Sequence, residues 1–126
     1  MKQLFVLLLL AFSGNCNAQF KVSDASLKID TSSLITPCDC NMALIIHMNE
    51  VIALLEEVKR IQKKEPATSS LKEEIVKRDI KHYAFFTRCM PIYNAKGAQR
   101  NCPDNAEGEA LDKKANILRK ELDLWK

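Results

Sequence analysis

Residues 41–64 read NMALIIHMNEVIALLEEVKRIQKK, with neither Gly nor Pro. Advancing by the helical period from Leu44 puts Leu44, Met48, Val51, Leu55 and Val58 on one face. Leu54 and Ile61 widen that face on one side, and Ile45 and Ile52 on the other, while Glu50, Glu57, Arg60 and Lys64 fall opposite. The first half, which adds Ile46 and Ala53, is apolar almost all round and should be the better buried half. Glu56 and Arg60 stand four apart and support the exposed side. Glu65-Pro66 stops this helix, because the residue before Pro avoids the helical region.

Two further helices follow from the same reasoning. Residues 67–70 read ATSS, a turn whose Ser69 or Ser70 can cap a helix running to about Arg88 or Cys89, where Pro91 enforces the end. Its apolar arc is Ile75, Val76, Ile80, Tyr83, Phe86 and Met90; its polar arc is Glu74, Lys77, Lys81 and Arg88, with Phe85 on the polar side. Pro91 to Pro103 reads as a loop. Asp104 or Asn105 then starts a third helix, whose Leu111, Ala115, Leu118, Leu122 and Trp125 recur at steps of four and three, an a/d seam.

Upstream, Met1-Lys2-Gln3 precedes the apolar run Leu4 to Phe12, then Ser13-Gly14-Asn15 and the small-residue exit Cys16-Asn17-Ala18. Residues 1–18 therefore read as a secretory signal peptide cut near Ala18/Gln19. The run is far short of the roughly 20 residues a spanning helix needs. An acylated Cys16 is the weaker reading, because lipoprotein processing wants a small residue where Asn15 stands. Residues 19–37 alternate weakly (Phe20, Val22, Leu27, Ile29) and read as an extended arm that Pro37 ends. Residues 38–126 form the helical domain. No other segment is read as crossing a membrane, so the mature chain is expected to have no transmembrane segment.

The cysteines complete the architecture. Five are present, and loss of Cys16 with the signal leaves Cys38, Cys40, Cys89 and Cys102, the even number that an oxidising compartment favours. Helices alternating in direction bring all four to one end. The expected fold is all-α: a small up-down-up three-helix bundle with an extended N-terminal arm, stapled by two disulfides at one end. The tight Cys38–Cys40 ring is disfavoured, but the spacing does not choose between the two ways of tying Cys38 and Cys40 to Cys89 and Cys102.

Composition excludes several functions. The net charge of +3 is too small for a polyanionic partner, so no nucleic acid is expected. There is no phosphate-cradling Gly loop, no H-E-x-x-H and no G-x-S-x-G, so no catalytic site and no cofactor are expected. Asp79 and His82, three apart on one helix, are a possible polar site, and His47 lies at the edge of the first helix's apolar face, expected half-buried with a local hydrogen bond. Phe85 and Tyr93 are candidate interaction residues. The leading expectation is a small secreted or periplasmic binding protein whose partner is another protein. The chain resembles, in architecture alone, small exported inhibitors, immunity-type proteins and effectors. Two alternatives stand beside it: a copper or zinc binder using the four thiolates, and a carrier of a small apolar ligand.

Overall fold

The computed structural model describes residues 20–61, 67–96 and 101–123. Among these residues four helices follow one another: α1 (Ala25–Lys28), α2 (Pro37–Arg60), α3 (Ala67–Lys96) and α4 (Asn105–Leu122), with a 3-10 turn at Thr31–Ser33 between the first two. Among the described residues there is no strand, and the chain is a small all-α bundle. The expected signal peptide, the Glu65-Pro66 stop, residues 97–100 of the expected Pro91–Pro103 loop and Trp125 lie outside the described residues.

α2 is the shared helix, and α3 and α4 both pack along it. Its start is fixed by a capping box. Thr36 Oγ1 accepts from the Asp39 amide (3.1 Å), and the Asp39 carboxylate accepts from the Thr36 amide (2.9 Å). Pro37 occupies the first turn, where its missing N–H costs nothing. The helix thus begins at Pro37 rather than Asn41, and Cys38 and Cys40 sit on its first turn. Cys38 bonds Cys102 and Cys40 bonds Cys89, which settles the connectivity left open by spacing.

The cross-links also set direction. Cys40 meets Cys89 near the end of α3, and Glu50 meets Arg78 in its middle, so α3 is antiparallel to α2. Asn41 meets Asp104 before α4, and Lys59 meets Glu121 near its end, so α4 runs parallel to α2. This is the expected up-down-up order. α4 lies close because Gly108 is buried against α2: a Cβ there would stand 3.0 Å from Asn41 Oδ1. The main core gathers Met48, Val51, Leu54, Leu55 and Val58 of α2 with Ile75, Ala115, Leu118 and Leu122. The α4 seam is therefore core, as its spacing predicts. A smaller cluster at the disulfide end joins Leu34, Cys40, Ala43, Phe85 and Cys89.

Several expectations are corrected. Glu50 and Glu57 are buried rather than opposite the core: Ser26 of the arm covers Glu50, and Glu57 pairs with Arg60 of its own helix. By length and composition α2 is apolar enough to cross a membrane; in this fold 61% of that stretch is buried, packed against α3, α4 and the arm. The arm is not extended throughout. It forms α1 and the 3-10 turn, the latter capped by Asp30, whose carboxylate accepts from the Ser32 amide (3.0 Å). Residues 67–70 are helical, not a turn, and α3 runs through Pro91 to Lys96, so residues 91–96 are helix where a loop was expected. Pro91 removes one helical hydrogen bond, but Ile92 and Tyr93 pack on the disulfide-end cluster and hold the next turn in place.

The largest correction concerns the rotation of α3. Of the expected apolar arc only Ile75 is buried. Val76, Ile80, Tyr83, Phe86 and Met90 face solvent, and Phe85, expected on the polar side, is 3% exposed. The inward positions are Leu71, Ile75, Arg78, His82, Phe85, Cys89 and Ile92, again at alternating steps of four and three. Arg78 and His82 interrupt that seam with polar side chains, and Cys89 and Arg78 are fixed inward by their bonds to Cys40 and Glu50.

Candidate functional site

Three groupings of polar or apolar side chains stand out. The first is a charge cluster in the interior. Arg78 (1% exposed) and Glu50 (3%) form an ion pair, Nε to Oε1, at 2.9 Å. The same carboxylate accepts from the Ser26 amide (2.8 Å) and the Ser26 hydroxyl (2.7 Å). Arg78 also donates from Nη2 to the Ser23 carbonyl (2.7 Å) and from Nη1 to the Glu74 carboxylate (2.8 Å) and carbonyl (3.0 Å). These groups satisfy one another, so the cluster acts as a latch that fastens the arm across α2 and α3. Arg88 adds a second fastening by donating to the Leu34 carbonyl (3.0 Å). Sequence reasoning missed this cluster. Its signal was present: an acid within a half-helix apolar all round must be buried, and needs a cation from elsewhere.

The second grouping is a histidine pair. The His47 and His82 rings stack with centroids 4.6 Å apart and planes 19° from parallel. His47 is 1% exposed, not half-buried, and its Nδ1 has no hydrogen-bond partner in place of the expected local bond. Burial above all, then the positive charge of His82, Arg119 and Arg78, pushes its pKa down to about 3, so it is neutral at physiological pH. Burial also lowers His82; Arg119 pushes the same way, while Asp79 pulls it up. Asp79 does not pair with His82 by a hydrogen bond. Its carboxylate takes two from Arg119 of α4, at 2.8 and 3.3 Å. The possible polar site of Asp79 and His82 is therefore two separate contacts, a cross-helix ion pair and an imidazole stack.

The third grouping is the outward face of α3. Val76 (40% exposed), Ile80 (67%), Tyr83 (72%), Phe86 (55%) and Met90 (38%) form a continuous apolar stripe. Val76, Asp79, Ile80 and Tyr83 line a shallow surface groove. Nearby, Leu44, Phe85, Phe86, Met90 and Tyr93 line a crevice beside His82 and the Cys40–Cys89 bridge. That crevice holds only about 150 Å³, below the roughly 300 Å³ at which ligand pockets begin. The two residues named from sequence as interaction candidates stand elsewhere: Phe85 is core, and Tyr93 is half-buried against the same cluster.

The four cysteines expected as an alternative metal site are joined in pairs, which leaves no thiolates to ligate metal. Among the described residues no three His, Cys, Asp or Glu side chains converge as a metal site. Comparison with known protein families, with curated proteins and with solved structures finds no match.

Proposed function

We propose that this is a small exported helical interaction protein, without a catalytic site, whose protein partner docks on the outward face of α3. The observation that carries the reading is the stripe from Val76 to Met90, with five large apolar side chains open to water on one helix. Exposed apolar patches of several hundred Å² are often functional, and Tyr, Phe and Met are enriched at interfaces. Two disulfides are compatible with an extracellular or periplasmic location. Residues 1–18 have the charged start, apolar middle and small-residue exit of a secretory signal, which supports export with cleavage near Ala18/Gln19.

The protein recovered from the extracytoplasmic fraction of producing cells should carry residue 19 as its first residue. Its mass should be four hydrogens below the reduced value; an unoxidised, metal-loaded chain would instead support the thiolate alternative. It should come out in a complex, with itself or with another chain, that Ile80→Asp dissolves without changing helical circular dichroism. An uncomplexed wild type, or a complex indifferent to Ile80→Asp, overturns the docking reading. Turnover of a defined substrate that is lost on Asp79→Ala overturns the non-enzymatic one.

A further inference from the structure

We propose that the α3 stripe joins two copies of this chain in an antiparallel, two-fold dimer. This rests on the reading of the α3 face as a docking surface and supplies its occupant. The argument begins with spacing. Val76 and Met90 each lie seven residues from Tyr83, and Ile80 and Phe86 each lie three from it. The exposed stripe is thus a palindrome centred on Tyr83. A two-fold contact uses the same patch on both partners, so the patch must be complementary to itself. With two α3 helices laid antiparallel about Tyr83, Val76 of one copy comes level with Met90 of the other. Ile80 comes level with Phe86, and the two Tyr83 rings meet at the axis. Every apolar side chain of the stripe then faces an apolar level of its mate.

Charge agrees with this register. Glu73 of one copy comes level with Tyr93 of the other, and Asp79 comes level with Thr87, so no two acids oppose. Asp79 is in addition already neutralised by Arg119. Area sets the scale of the contact. At about 200 Å² for a fully exposed ring, Tyr83 and Phe86 alone present roughly 250 Å². The whole stripe reaches on the order of 500 Å², against about 800 Å² per partner in a standard interface. The contact is therefore at the small end for a specific interface.

The test is sedimentation equilibrium of the exported, oxidised protein from low micromolar to millimolar concentration. The wild type should pass from monomer to dimer. Ile80→Asp and Tyr83→Asp should each weaken association at least about tenfold with the circular dichroism spectrum intact. Ile117→Asp, at an exposed apolar position of α4, should leave it unchanged. A photo-crosslinking phenylalanine analogue at position 83 should link the two copies within α3, and links only to other elements overturn the register. A dimer weakened by Ile117→Asp and not by Tyr83→Asp overturns the interface. A wild type that stays monomeric at every concentration overturns self-association. If that monomer still forms a complex with a different protein that Ile80→Asp dissolves, only the second copy is wrong as occupant. If it forms none, the docking reading falls as well.

Discussion

His47 is buried with an unbonded ring nitrogen, and that gives the protein a stability that depends on pH in a defined direction. Its folded pKa is about 3 against an ordinary value of 6.5. Below pH 6.5 the unfolded chain takes up a proton that the folded chain refuses. Stability is therefore greatest above that pH and falls as pH drops, by about 1.4 kcal/mol for each unit between the two values. His82, lowered by burial, pushes the same way. The depressed carboxyls Asp30, Glu57 and Glu74, whose ordinary values are 3.8 to 4.5, lose their contribution only at still lower pH. The interval from about 6.5 down to 4.5 thus isolates the imidazoles. Urea unfolding across it should show the slope, and His47→Leu should reduce it to the share that His82 contributes. An equal slope in the variant would place the proton uptake elsewhere.

At the scale of one helix, the rotation of α3 decides which substitutions matter. Phe85→Ala should cost about 3–5 kcal/mol, because the ring is packed with Leu34, Cys40 and Ala43. Ile80→Ala should stay within about 0.5 kcal/mol, since its side chain is two-thirds exposed. The arc read from sequence predicts the reverse order, so chemical denaturation of the two variants tests the rotation directly. The reason the sequence misled here is physical. Periodicity weighs residues by hydropathy, and the inward seam of α3 carries Arg78 and His82, which are polar until their partners are known. Those partners, Glu50 and His47, lie on α2, some thirty residues away in the chain. The α4 seam has no such interruption in its described part, and its Leu111, Ala115, Leu118 and Leu122 were legible at once.

The same pairing yields a sharper test within these elements. Glu50→Ala leaves the Arg78 guanidinium buried without its main acid, and should cost about 3–5 kcal/mol. Replacing both by apolar residues, as in Glu50→Leu with Arg78→Met, removes the unpaired charge and should recover much of that loss. It also removes the two hydrogen bonds from Ser26, so the arm should exchange its amide hydrogens faster even where global stability returns. Recovery of stability with an unchanged arm would show that the arm is held by Leu34 and Arg88 instead.

Across the whole molecule, cross-linking and apolar burial are concentrated at opposite ends. That the cysteines gather at one end was legible from helix order alone; which sulfur meets which was not, because it depends on α2 starting at Pro37 and on how α3 is turned. The bridges close separations of 64 and 49 residues, and loop-closure entropy assigns each about 4 kcal/mol of stabilisation. The cluster around them is small and contains two of the cysteines, whereas the larger core of Met48 to Val58 with Ile75 and Leu118 contains no cysteine. Loss of one bridge, as in Cys38→Ala with Cys102→Ala, should therefore leave a folded bundle about 4 kcal/mol weaker. Its fast amide exchange should be confined to the first turn of α2 and the start of α4. Loss of both withdraws a large part of the 5–15 kcal/mol typical of a domain, and should leave helical circular dichroism without a cooperative melt. The overlapping loops make the two effects less than additive, so the double variant is the decisive measurement. A cooperative transition in the chain lacking both bridges would mean that the α2–α4 seam alone specifies the bundle, and that the disulfides only reinforce it.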